Sequence, residues 1–177
     1  MMFVFRSNYG ICLLTLSLAL SLVGAGWAQT APPPASEPAK VYGQAVSLLE
    51  QAQRELAAEN LSVALSLVKQ SNSLFTLLQK ESAAKLAERE LSSQESQQLA
   101  INQKLATDAQ AQADRLLETA GAKKKQAMDL RAQGKAEAGD AAERESKEQY
   151  LQAQNLSIKS AIYALCNQQI IFRFLAP

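Results

Sequence analysis

The chain has 177 residues, 47% hydrophobic and 20% charged, with 18 basic and 17 acidic side chains and a net charge of +1. It holds no histidine and two cysteines, which removes the commonest general base and the commonest zinc and haem ligand and leaves too few thiolates for a metal site. A chain so close to neutrality has no long-range field to gather nucleic acid or an acidic surface.

The first residues depart from the rest. Arg6 precedes the apolar run Ile11 to Val23, and the small residues Gly24, Ala25, Gly26 and Ala28 follow it. That order predicts a secretory signal peptide over 1–28, cut after Ala28, and hence a periplasmic or extracellular protein. The apolar run is shorter than the ~20 residues a membrane span needs. Loss of the leader takes Arg6 with it, leaving 17 basic residues against 17 acidic ones. Cys166 is then the only cysteine, so no intramolecular disulfide forms. Its place inside an apolar run points to burial, and a link between two chains is the alternative.

Residues 29–40 (QTAPPPASEPAK) carry four of the five prolines and read as an extended tether. Residues 41–176 are expected to form a single helical domain. From Ala39 to Ala176 there is no proline, and the only glycines are Gly43, Gly121, Gly134 and Gly139. Proline costs roughly 3 kcal/mol inside a helix and glycine about 1, so this tract reads as helix throughout.

The first helix is expected over 41–58, with Ala45, Leu48, Leu49, Ala52 and Leu56 on one face. Asn60 then offers its side chain as N-cap to a second helix over 61–92. That helix starts richly, with Leu61, Val63, Leu65, Leu67, Val68, Leu74, Phe75, Leu77 and Leu78. From Gln79 to Lys104 only Leu86, Leu91, Leu99 and Ile101 are large and apolar. Ser92 and Glu95 have capping-box spacing, which places a turn within Ser92 to Ser96. The competing reading is one uninterrupted helix over 61–133.

The third helix, expected over 97–133, has the clearest regularity. Leu105, Ala109, Leu116, Ala120, Ala127 and Leu130 form one stripe, and Ala106, Ala113, Ala120, Ala127, Gly134 and Ala141 recur every seven residues. Such a repeat keeps one face on a neighbouring helix, and small residues let the backbones approach. Gln133-Gly134, followed by Asp140 and Glu143, is a stop and restart. The last helix, over 138–174, presents Leu151, Ile158, Leu165 and Phe172 at sevens. Its segment 158–175 is too apolar to remain in water, and is either the closing element of the core or a partner surface.

The fold class that follows is all-α: an up-and-down bundle of long antiparallel helices with coiled-coil-like seams, behind a signal peptide and a Pro-rich tether. Two helical hairpins look alike, Gln51-Ala52 to Leu74 and Gln126-Ala127 to Leu151, with a shift in offset along the way. Over about half the chain they resemble in outline the helix pairs of tetratricopeptide-type repeats, and no residue role is carried over.

No catalytic, cofactor-binding or metal-ligating residue is assigned, and no cofactor is expected. Glu88 with Glu90, or Glu143, Glu145 and Glu148, are the acids that could meet across helices around an ion, whereas Glu81, Lys85, Glu88 and Arg89 read as i,i+4 pairs on a solvated face. Lys123-Lys124-Lys125 fans around its helix and makes no coherent basic patch. Asn60-Leu61-Ser62 and Asn155-Leu156-Ser157 match the glycosylation pattern. The aromatics Tyr42, Phe75, Tyr150, Tyr163, Phe172 and Phe174 are explained by core packing. The expected function is a non-enzymatic, chaperone-like scaffold or protein-interaction module. It would bind a protein partner or itself through helix faces, and not nucleic acid. The alternative is a membrane- or envelope-associated protein using segment 158–175.

Overall fold

The structure is a computed structural model that describes residues 38–176. The expected signal peptide and residues 29–37 of the expected tether lie outside the described residues. Within them every regular element is helical: α1 (Pro38–Ala57), α2 (Leu61–Glu81), α3 (Ala83–Glu88), α4 (Ser93–Ala132), α5 (Ala136–Ile171) and a closing 3-10 turn (Arg173–Leu175). The expectation of four helices therefore gives way to five.

Helix α1 starts at Pro38 and not near Val41. A proline at the first helical position loses no hydrogen bond, because its N–H would have no partner there, and its fixed φ already suits the helix. The last three residues of the expected tether are thus helical.

The α1–α2 and α4–α5 turns are built alike. In the first, Glu59 takes a left-handed φ of 61°, its N–H bonds the Leu56 carbonyl, and the Asn60 N–H reaches back to Glu55. In the second, Gly134 has φ 76°, its N–H bonds Arg131, and the Lys135 N–H reaches Leu130. Both are Schellman endings, in which a left-handed residue lets the chain satisfy the last helical carbonyls. The side-chain cap expected of Asn60 at the start of α2 does not form. The Asn60 Nδ2 donates to Glu55 Oε2 at 2.7 Å instead.

The expected helix over 61–92 is interrupted. Helix α2 ends at Glu81, buried Ser82 intervenes, α3 lasts six residues, and the chain is non-helical from Arg89 to Ser92. This also overturns the uninterrupted helix over 61–133. The Ser92–Glu95 capping box forms in full: the Ser92 hydroxyl accepts from the Glu95 N–H, and the Glu95 carboxylate accepts from the Ser92 N–H at 3.0 Å. Two otherwise orphaned donors are satisfied reciprocally, so α4 begins at Ser93, four residues before the expected start.

The two hairpins are one design used twice, with no shift in offset. Ser71 Oγ donates to the Ala45 carbonyl at 2.8 Å and Ser146 Oγ donates to the Ala120 carbonyl at 2.8 Å, each pair 26 residues apart. Adding 75 to each residue of the first bond gives the second, and the same step carries Glu59 to Gly134 and the end of α1 at Ala57 to the end of α4 at Ala132. The counterpart of Leu74 is Gln149, not Leu151.

The large apolar side chains collect at one end of this arrangement. Val41, Tyr42 and Leu49 of α1, Val68, Phe75 and Leu78 of α2, and Ile158, Ile162, Leu165 and Phe172 share one core, which has no member from α4. The Phe75 and Phe172 rings stack with centroids 6.0 Å apart. At ~1.5 to 3 kcal/mol for each large side chain buried, this cluster supplies most of the apolar stabilisation. Segment 158–175 is spent in closing it.

Candidate interaction surface

Helices α4 and α5 meet along a seam of small residues. Ala106, Ala113, Ala120 and Ala127 are buried at intervals of seven on α4, as their spacing predicts, and Gly139, Ser146, Ala153 and Ser160 answer them on α5. Opposed pairs are read from direct contacts: Ser146 to the Ala120 carbonyl, Ser160 Oγ to the Ala106 carbonyl at 2.8 Å, and Asn167 Nδ2 to the Leu99 carbonyl at 3.3 Å. Each step of seven forward on α5 is a step of seven back on α4, so the helices are antiparallel. At Gly139 an added Cβ would lie 3.0 Å from the Ala127 carbonyl oxygen and 2.7 Å from Arg131 Cγ. Close approach of the two backbones therefore requires glycine there.

A seam this narrow buries small groups and leaves large ones outside. Ile101, Leu105, Leu117 and Met128 of α4 and Tyr150 and Leu151 of α5 are exposed, Met128 by 63% and Leu151 by 57%. Three expectations are corrected by this. Leu105 lies outside the stripe assigned to it. Leu151 continues the sevens of Ile158, Leu165 and Phe172, but no core residue of α5 precedes Ile158, so its position has no cover. Tyr150 and Phe174, each 38% exposed, are not core aromatics.

The charged candidates are dispersed. Glu143 is held by Arg131 and by Lys147 at 2.7 Å, and Glu145 pairs with Lys123 at 2.6 Å. Bonds from Lys147 and then Arg131 pull the Glu143 carboxyl from its ordinary 4.5 down to about 2. Asp140, 2.6 Å from Arg131, completes this exposed cluster at the turn end of the hairpin. Among the described residues no group of three acidic, thiol or imidazole side chains gathers to hold a metal, and Glu88, Glu90 and Glu148 join no such group. Lys124 and Lys125 are exposed, and Glu145 occupies Lys123. Cys166 is half-buried beside the core, its Sγ accepting from Gln53 Nε2 at 3.6 Å, and burial pushes its thiol pKa up.

Arg89 has a role that its sequence context hid. Its guanidinium turns inward and donates to the Ile170 carbonyl at 2.7 Å and to the Ile171 carbonyl, two of the last orphan acceptors of α5. It pairs with Glu95 at 2.5 Å and sits 5.5 Å from the centre of the Phe174 ring. One side chain thus ties the start of α4 to the end of α5. The signal that could have found it is its position three residues before the Ser92 cap, in the non-helical stretch Arg89 to Ser92, where helix pairing no longer applies.

No described helix is long and apolar enough to cross a membrane. Comparison of the chain with models of known protein families, with curated proteins and with solved structures finds no match.

Proposed function

We propose that this is an exported, non-enzymatic helical module, chaperone-like in action, which works by presenting the exposed face of the α4–α5 hairpin to another protein chain. The leader through Ala28 carries it out of the cytoplasm, the Pro-rich segment is its tether, and the helices behave as an up-and-down bundle with coiled-coil-like seams. The observation that carries the reading is the division of labour along α5. Its last third is consumed by the core, whereas the hairpin beyond Ile158 keeps Leu117, Met128, Tyr150 and Leu151 in water. Exposed large side chains gathered on one hairpin mark an interaction surface more often than scattered ones do. The burial of Ile158, Ile162, Leu165 and Phe172 weighs against membrane insertion of segment 158–175, since insertion would first have to open the core.

The test is light scattering from a reduced, aggregating model protein, with and without this chain. The wild type is expected to delay aggregation near equimolar ratio, and the Leu117→Ser/Tyr150→Ser variant, with unchanged circular dichroism, to lose that effect. No delay even at large molar excess would overturn the reading.

A further inference from the structure

We propose that the partner presented with this surface is a second copy of the chain, docked on α4 antiparallel to it, with the two α4 helices crossing at Gly121. This rests on the reading of the chain as an interaction module and names what the module binds.

The repeated hairpin shows what kind of element the surface receives. In α1–α2 the face bearing Tyr42 and Phe75 is covered by the end of α5: Tyr42 donates to the Gln169 carbonyl, Phe75 stacks on Phe172, and Gln53, at the exposed rim of the same face, donates to Cys166. The residues 75 further on are Leu117, Met128 and Tyr150. They form the same face of the second hairpin, and all three are among its exposed apolar side chains. A face that is closed by a helix in the first copy of the design is open in the second.

Gly121 lies in the middle of that face. A glycine inside a helix is about 1 kcal/mol less favourable than alanine, so its presence calls for a reason. Gly139 has one in the Ala127 carbonyl. Gly121 has none among the described residues: its backbone φ is ordinary, and an added Cβ would meet just the Tyr150 hydroxyl there, at 3.9 Å. What it does supply is a notch between Leu117 and Met128 where another helix can come close.

The charges identify that helix as a second α4. Within about 60° of Gly121 around the helix, acids precede and bases follow, Asp114 and Glu118 on one side and Lys124 and Lys125 on the other, while Arg115 and Asp129 are turned further away. Among the described residues Glu118, Lys124 and Lys125 make no ion pair, whereas Lys123 beside them pairs with Glu145. In an antiparallel pair crossing at Gly121, a residue three before the crossing faces one three after it. Glu118 of each copy then faces Lys124 of the other, twice per dimer, and Leu117 packs on the aliphatic stem of Lys125. A parallel pair would set like charges together.

The experiment is sedimentation equilibrium on the protein purified from cells expressing the full chain, from low to high micromolar concentration. The wild type is expected to dimerise. Glu118→Lys and Lys124→Glu should each weaken the dimer about tenfold, and the two together should restore it, because the pair is attractive again. Gly121→Leu, whose Cβ would make only an ordinary contact with the Tyr150 hydroxyl in the monomer, should abolish the dimer and leave the circular-dichroism spectrum intact. A monomer at every concentration, or a dimer indifferent to Gly121→Leu and to both charge reversals, would overturn the proposal. A monomer that still delays client aggregation would sink the self-pairing alone and leave the interaction module standing with a foreign partner.

Discussion

Ser146 donates its hydroxyl to the carbonyl of Ala120 across the α4–α5 seam at 2.8 Å, and Ser71 does the same to Ala45 at the same distance and the same separation in sequence. A carbonyl already bonded within its own helix still has a second lone pair, so the hydroxyl is satisfied inside a seam too narrow for water or for a larger side chain. Serine and alanine opposite each other are therefore the joining element of both hairpins. The same joint recurs at Ser160 and Ala106, where α4 and α5 run on beyond the repeat.

Replacing these serines separates the two things they do. Ser146→Ala removes one buried hydrogen bond and leaves no clash, so a loss of about 1 kcal/mol is expected in urea unfolding. Ser160→Ala should cost a similar amount and add to it, since the two sites are about 21 Å apart along α5. Ser146→Leu keeps a helix-forming residue but forces the backbones apart, and should cost about 1 to 3 kcal/mol more than the alanine change. Equal effects of Ala and Leu at 146 would mean that the seam is looser than the contacts imply.

The two interior glycines should respond in opposite directions. Gly139→Ala gains about 1 kcal/mol of helix propensity but places its Cβ against the Ala127 carbonyl and Arg131, a backbone contact that can give little. A net loss of about 1 to 2 kcal/mol is expected, measured as a fall in melting temperature. Gly121→Ala meets no such obstacle and should raise the melting temperature of the dilute monomer. A rise at both positions would show that the backbones near Ala127 are not held together by the need for glycine.

Arg89 closes the base of the long hairpin, and its removal should be felt at both ends it joins. Arg89→Met keeps much of the aliphatic stem over Phe174 and deletes the donors to Ile170 and Ile171. Hydrogen bonds from a charged donor are worth about 1.5 to 3 kcal/mol, and a loss in that range is expected. Amide exchange should accelerate in Ile170–Leu175 and in the first turn of α4, with the Ala106–Ala127 stretch unaffected. Acceleration spread evenly over α4 would contradict a local tie.

Much of this architecture was legible where one residue type repeats at a helical period. The alanines from Ala106 to Ala127 are small and seven apart, and Ser92 with Glu95 has the spacing of a reciprocal cap. The answering stripe on α5 has the same period, but Gly139, Ser146 and Ser160 are not apolar, so a search for hydrophobic faces passes over them. The exposure of Leu151 escapes the sequence for a different reason. The sevens from Phe172 back through Leu165 and Ile158 continue to Leu151, and periodicity along one helix does not reveal where the covering helix ends. Arg89 sits in a series of alternating charges that looks like a solvated face, and only the break after α3 shows that its side chain is free to turn inward.

The exposed cluster at the far end of the hairpin sets an acid response. Glu143 accepts bonds from Lys147 and Arg131, which hold its carboxyl at about 2, below the ordinary 4.5. Because the folded value is the lower one, the unfolded chain binds more protons between the two, so this contribution is complete above pH 4.5 and is lost as pH falls toward 2. Glu95 shifts in the same direction, chiefly through the Ser92 N–H that its carboxylate accepts. Melting temperatures measured from pH 7 down to pH 2 should therefore fall less steeply in Glu143→Gln than in the wild type below about pH 4.5, with parallel curves above it. Added salt should shrink the difference, since these groups face water. Identical acid limbs for the two proteins would show that the Arg131–Glu143–Lys147 cluster is not maintained in solution.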